Sequence, residues 1–332
     1  MPTHDIVTIG ASAGGVETLS RLVAGLPPDF PGALFIVLHI PPEPRSLLPS
    51  ILSKVGPLQA RHAVDGEPIK PGQILVAPPD LHLLLDEGVV RVVHGPHENR
   101  HRPAIDPLFR SAALVYGSRV VGVVLSGMLD DGTAGLMEIK RAGGIAITQD
   151  PRDALYPGMP TSAMRHVDVD YVLPHTRIPA QLVSLAAERL PAVEPNGRPT
   201  TEWEKKMADL DAGPQGDERP GVPSGLTCPD CHGNLWETRD QGLVRYRCRV
   251  GHAYSTDSMK AAQDDSVERA LWISLRAVEE KAALARRTAE EARSRNLAGV
   301  ESIYREKAQE STNDALIIRE ILSRSREPTP ES

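Results

Sequence analysis

Short apolar runs at 6–9, 34–38, 74–77, 120–125, 145–148 and 171–173 alternate with segments of helical periodicity at 16–26, 107–116, 133–142 and 179–190. A chain patterned in this way buries both kinds of element by laying helices against a sheet, each helix carrying the chain to a parallel neighbouring strand. The expected fold class is therefore α/β with a mostly parallel sheet. Two more apolar runs, 81–85 and 89–93, flank Asp86-Glu87-Gly88 and read as a hairpin inserted into that pattern.

Beyond this first domain, expected over 1–190, the composition changes. Residues 191–225 are rich in Pro, Gly, Asp, Glu and Lys and read as a flexible linker, with one short helix near 202–210. A compact module holding all three cysteines is expected over 226–256, and a helical hairpin or coiled coil over 257–326, broken near Asn296-Leu297-Ala298-Gly299. Residues 327–332 are expected to be a disordered tail. Leu271, Leu275, Val278, Ala282, Ala285, Ala289 and Ala292 recur at alternating four and three, which lays one apolar stripe along a helix and suits pairing, including a homodimer through these helices. The formal charge of -7 argues against nucleic acid or anionic membrane surfaces as partners. No apolar run is long enough for membrane insertion, and Met1-Pro2-Thr3-His4-Asp5 lacks the features of a signal peptide. A cytoplasmic location is expected.

Chemistry enters with Gly10-Ala11-Ser12-Ala13-Gly14, directly after the first apolar run. It fits the G-x-S-x-G pattern, in which small neighbours let a strained turn present a serine hydroxyl. A serine needs a base and a group to orient that base. His39 follows the second run, and Asp130 and Asp131 follow the run at 120–125. If these strands are parallel, all of them emerge at the carboxyl edge of one sheet, where ligands and chemistry gather in open α/β folds. The chain order Ser, His, Asp excludes an ordinary α/β-hydrolase, which runs Ser, Asp, His. A dinucleotide loop needs glycine where Ser12 stands, and a Walker loop needs a lysine that 1–53 lacks. Each residue alone has a plainer reading: Ser12 as a cap for a helix beginning near Gly15, His39 as a satisfied strand-end histidine, the aspartates as turn residues. Their joint placement favours the triad.

These segments resemble the three signatures of CheB-type protein-glutamate methylesterases: Gly10-Ala11-Ser12-Ala13-Gly14-Gly15, His39 with Pro41, and Gly127-Met128-Leu129-Asp130-Asp131-Gly132. Asp65-Gly66-Glu67, Pro71-Gly72, Val76-Ala77-Pro78, His101-Arg102-Pro103-Ala104-Ile105-Asp106 and Gly158-Met159-Pro160 extend the resemblance over residues 5–185. It implies a doubly wound sheet and hydrolysis of glutamate γ-methyl esters on a sensory receptor or related signalling protein. Side-chain glutamine deamidation is implied as a related activity, and a glutamate methyltransferase as a partner enzyme. No cofactor is implied for catalysis. By position, Ser12 is the nucleophile, His39 the general base, Asp131 the orienting group and the Met128 N–H the oxyanion donor, while Asp130 falls where the family varies. His101 and Arg102 are further candidates for lining the site. Ala13, Leu38 and Leu129 depart from the usual threonine, glutamine and glycine. The family's phospho-receiver domain is not expected here, since the resemblance begins at residue 5, and neither is its control by phosphorylation within this chain.

Cys228, Cys231, Cys248 and His252 form C-x2-C-x16-C-x3-H, a spacing that suits a closed tetrahedral zinc site of structural type, a zinc-ribbon-like module. His232 is an outside candidate for the fourth ligand. A second reading of the whole chain stays open on the residues: a non-catalytic scaffold that keeps the methylesterase fold and binds partners through this module and the helices.

Overall fold

The structure is a computed structural model that describes residues 2–40, 46–191 and 221–324. The described residues form two compact units, Met1–Met259 and Lys260–Ser332. The first is built on a seven-stranded sheet in the order β3-β4-β2-β1-β7-β8-β9. Its strands are β1 (Ile6–Ala11), β2 (Ala33–Leu38), β3 (Ala60–His62), β4 (Ile74–Val76), β7 (Val120–Val124), β8 (Ile145–Gln149) and β9 (Tyr171–Leu173). Every pairing in it is parallel. The hairpin β5 (His82–Asp86) and β6 (Val89–Val93) makes a separate antiparallel pair. Strand β3 escapes a reading by apolar runs because its sequence, Ala-Arg-His, is neither apolar nor alternating.

Alternation within the central strands fills two cores. Val7, Ile9 and Ala11 of β1, Leu34, Ile36 and Leu38 of β2, and Val121, Val123 and Leu125 at β7 face one side. Ile6, Phe35, Val37, Val120 and Val124 face the other. Both faces are covered by helices, which is why these strands read as nearly continuous apolar runs. The helices α1 (Gly15–Ala24), α2 (Leu48–Val55) and α6 (Ile178–Ala187) contribute Leu19, Leu22, Leu52 and Leu182 to the first core. The helices α3 (Ile105–Tyr116), α4 (Thr133–Arg141) and α5 (Gly158–His166) contribute Phe109, Leu136 and Met159 to the second.

The connection after β1 leads to β2 on one side, and the connection after β7 leads to β8 on the other. The crevice between β1 and β7 is thus the switch point of the sheet, where ligands bind in open α/β folds. Registers Ala11↔Leu38 and Gly10↔Val124 bring β1, β2 and β7 to an end at the same level.

The cysteine module is a four-stranded antiparallel sheet within the first unit: β10 (Val222–Thr227), β11 (Asn234–Asp240), β12 (Leu243–Cys248) and β13 (Ala253–Ser255). Strand β10 begins inside the segment expected as linker, and the short helix expected near 202–210 lies outside the described residues. Long helices α7 (Thr256–Ser294) and α8 (Ala298–Arg324) follow. Within the second unit Leu275, Ala315 and Leu322 pack together with Leu271, Val278 and Ile318, so the expected stripe pairs the two helices as a hairpin.

Helix α3 crosses β1 so closely that a Cβ at Gly10 would overlap Ile105 Cγ2. Ile105 opens that helix, is fully buried, and brings Cγ2, Cδ1 and Cγ1 all within 3 Å of that position. Gly10→Ala is therefore expected to destabilise the protein by about 1–3 kcal/mol, the usual cost of overpacking, measured as a lower urea midpoint with an unchanged slope.

Candidate active site

Residues 12 and 39 each lie one position beyond their strand. Their backbones continue the sheet pairing: Ser12 N–H donates to Ser126 O at 2.9 Å and His39 N–H to Ala11 O at 3.1 Å. Ser126 braces the turn further by donating its hydroxyl to Ala13 O at 2.8 Å, while its own N–H donates to Gln149 Oε1 at 2.9 Å. The strain expected at the serine is not there. Left-handed backbone falls instead on Gly14, with φ 72°, which is also the N-cap of α1. The helix takes no side-chain cap, so the reading of Ser12 as a capping residue is also set aside.

The side chains form one chain of hydrogen bonds. Ser12 Oγ lies 3.2 Å from His39 Nδ1, and His39 Nε2 lies 2.7 Å from Asp131 Oδ2. Asp131 is buried and surrounded by donors. Its Oδ2 also accepts Ile105 N–H at 2.7 Å; its Oδ1 accepts Asn99 Nδ2 at 2.9 Å, Gly132 N–H at 2.9 Å and Asp106 N–H at 3.3 Å. Burial alone would raise its pKa. The hydrogen bond and charge interaction with His39, then the donors Ile105 and Asn99, outweigh burial and hold the carboxyl below the usual carboxylate range. Asp131 is thus an anion fixed with one oxygen toward the imidazole. That arrangement suits Nδ1 to accept a proton from the serine, with Nε2 donating to the aspartate.

His101 stacks on His39, with ring centroids 3.6 Å apart and planes 13° from parallel. Burial and the neighbouring His39 push its pKa down to about 3, so its face is uncharged. Arg102 does not join the triad: it binds Asp80 Oδ1 through Nη2 at 2.7 Å and Gly95 O through Nη1 at 2.7 Å. Met128 extends an exposed side chain from the loop that Ser126 anchors to Ser12. Leu129 adopts φ 59°, a left-handed value that glycine takes more readily than leucine. Sequence reasoning missed Asn99 and the N–H of Ile105, because their roles arise where separate loops meet and no spacing announces them.

Asp130 turns away from the triad and accepts the Ser255 hydroxyl at 2.7 Å. In the cysteine module, Cys231 Sγ lies 3.6 Å from Cys248 Sγ, and His252 Nδ1 lies 3.5 Å from Cys248 Sγ and 3.7 Å from Cys228 Sγ. No disulfide forms at such separations. Tetrahedral ligands about 2.3 Å from one ion stand roughly 3.8 Å apart, so these four residues could hold one metal ion. His232 is outside the group, its backbone turned left-handed at φ 60°.

A parallel α/β sheet that joins a serine, a histidine and a buried aspartate by hydrogen bonds at its switch point has an arrangement of the kind serine hydrolases use. The CheB methylesterase family model matches residues 7–182, and the chain belongs to that family. It is 42% identical over 181 residues to protein-glutamate methylesterase/protein-glutamine glutaminase 2 of Anaeromyxobacter dehalogenans, covering 54% of this chain and 53% of the relative. A relative of the same name from Xanthomonas campestris is 37% identical over 186 residues, covering 55% of this chain and 53% of its own. The chain thus spans about half the length of the curated relatives it matches. The crystal structure of the Thermotoga maritima CheB methylesterase catalytic domain superposes with a TM-score of 0.53 and 37% identity, covering 55% of this chain and 98% of that one. The sheet with its flanking helices is therefore the fold of that catalytic domain.

Burial, opposed by the Ser255 hydroxyl and reinforced by Asp257, Asp106 and Asp131, pushes the Asp130 pKa up to about 7. Between the ordinary carboxylate range and that value the folded chain retains a proton that the unfolded chain releases, so stability falls as pH rises across this window. Asp130→Asn removes the titration. It is expected to gain stability over the parent by on the order of 1–3 kcal/mol at pH 8, shrinking toward pH 5; urea unfolding at the two pH values measures the difference.

Proposed function

We propose that this protein is a protein-glutamate methylesterase that hydrolyses glutamate γ-methyl esters on a methylated sensory receptor or related signalling protein. The carrying observation is the unbroken hydrogen-bond chain from Ser12 through His39 to Asp131 at the carboxyl edge of the sheet. Membership in the CheB methylesterase family and the names of the relatives agree with it. Those names also carry glutamine glutaminase activity, so side-chain deamidation is the related reaction.

In this reading Ser12 Oγ attacks the ester carbonyl carbon while His39 Nδ1 accepts its proton. Asp131 keeps Nε2–H oriented and stabilises the imidazolium. The Met128 N–H donates to the tetrahedral oxyanion, a contribution of roughly 3 kcal/mol for a single donor. Collapse breaks the bond to methoxide, which leaves as methanol with the proton from His39. Water, deprotonated by the same imidazole, then releases the glutamate carboxylate and regenerates Ser12. A glutamate methyltransferase would supply the ester on the same partner. Among the described residues no helix is long and apolar enough to cross a membrane.

Cys228, Cys231, Cys248 and His252 are the residues that would hold a structural zinc ion. Three thiols and an imidazole favour it, and four protein ligands leave no open position for chemistry. The ion would tie the turn between β10 and β11 to the turn between β12 and β13. A homodimer through α7 and α8 belongs to the same proposal.

Ser12→Ala is expected to reduce methanol release from a methylated receptor by roughly a thousandfold or more, with the fold intact by circular dichroism. Undiminished release would leave the scaffold reading in its place. The purified chain is expected to carry about one zinc ion by elemental analysis, and Cys248→Ser to lose it together with several degrees of melting temperature.

A further inference from the structure

The cysteine module meets the 97–99 loop, whose Asn99 also reaches Asp131. Glu98, 1% exposed, accepts Arg110 Nη2 of α3 on both carboxylate oxygens, at 2.9 and 2.7 Å, and Arg247 Nη2 of β12 at 3.1 Å. On either side of it the backbone pairs with β13: Ala253 N–H donates to His97 O at 3.2 Å, and Asn99 N–H to Ala253 O at 2.8 Å. Asn99 is thereby placed between the two halves with φ 49°, a left-handed conformation that asparagine tolerates better than most residues.

All of the hydrogen-bonding capacity of the Asn99 amide is used. Its NH₂ donates to Asp131 Oδ1 and to Asp106 Oδ2, each at 2.9 Å. Its Oδ1 accepts Ser255 N–H at 3.0 Å and the Ser258 hydroxyl at 3.1 Å. Carboxylates on one side and a backbone N–H on the other permit only this orientation of the amide. Ser255 and Ser258 are themselves locked: Ser255 N–H donates to Ser258 Oγ at 2.8 Å, and Ser258 N–H to Ser255 Oγ at 3.0 Å, a reciprocal cap at the start of α7. The amide also supplies a donor shared by two buried carboxylates that would otherwise repel each other.

We propose that Asn99 is a positioning residue for Asp131, and that Ser255 and Ser258 hold it in that role, making the cysteine module a working part of the esterase site. The inference rests on the reading of Ser12, His39 and Asp131 as an esterase triad. With the amide in place, Asp131 presents Oδ2 to His39 while Oδ1 is tied to a group whose own oxygen is held by Ser255 and Ser258. Without it, Oδ1 keeps only the N–H donors of Gly132 and Asp106, and the carboxylate is held less firmly toward the imidazole.

The test uses the full chain and a fluorophosphonate, which reacts with an activated serine whatever the natural ester. Asn99→Gly removes the amide and keeps the left-handed backbone. It is expected to slow phosphonylation of Ser12 by about tenfold or more, as small misplacements of catalytic groups do. Methanol release is expected to lose kcat with KM unchanged. Ser258→Ala is expected to slow phosphonylation less, and the double variant to match Asn99→Gly alone, because Ser258 acts through Asn99. Near-UV circular dichroism establishes that each variant is folded. A folded Asn99→Gly that labels at the parental rate overturns the proposal, and so do effects that multiply in the double variant. A folded Ser258→Ala with the parental rate overturns the contribution of the junction between β13 and α7 even if Asn99→Gly does not fold. Failure of the parent itself to label at Ser12 would overturn the triad reading, a result distinct from all of these.

Discussion

A buried aspartate charge is the constraint around which the first unit is arranged. Asp131 is hidden from water and yet held as an anion by donors from four parts of the chain: the imidazole of His39, the amide of Asn99, the N–H groups of Ile105 and Asp106, and its neighbour Gly132. A carboxylate without such partners would be protonated or would prevent folding. The positions of β2, α3 and the 97–99 loop are therefore coupled through one side chain. The close approach of α3 over Gly10 belongs to the same arrangement, since it brings the first N–H groups of that helix to the carboxylate.

The neighbouring acids show how environment separates like residues. Asp106 is buried beside Asp131, and burial with that repulsion pushes its pKa up to about 6, with Arg110 opposing the rise. Asp130, adjacent in sequence to Asp131, is directed toward Ser255. Three carboxyl groups within one small region are thus shifted in different directions. The one facing His39 has the donors that favour ionisation, whereas Asp130 and Asp106 are driven the other way by desolvation.

Much of this was legible in the sequence. Apolar runs located six of the seven parallel strands, because a sheet buried on both faces makes its strands uniformly apolar. Ser12, His39 and Asp131 stood out as polar residues just after such runs, and the structure brings them within hydrogen-bond reach. Asn99, Ser255 and Ser258 were not legible. They converge from the 97–99 loop and from the junction of β13 with α7, 156 and 159 positions apart, and that meeting leaves no periodic trace. Strand β3 was hidden for the opposite reason: it is short, lies at the sheet edge and carries Arg61 and His62. The serine turn was located correctly, but the left-handed residue was Gly14, which a pattern of small residues could not distinguish from its neighbours.

The central place of β1 has a kinetic side. Thr8 Oγ1 reaches Val121 O across a separation of 113 positions, so the strand that carries Ser12 gains its β7 neighbour only after a long stretch of chain has been organised. Loop-closure entropy makes such non-local parallel pairing slow relative to helices and hairpins. During that interval one edge of β1 keeps its backbone N–H and C=O groups unpaired. For this fold, the strand that presents the serine is also the one whose edge must be protected longest from pairing with the wrong partner.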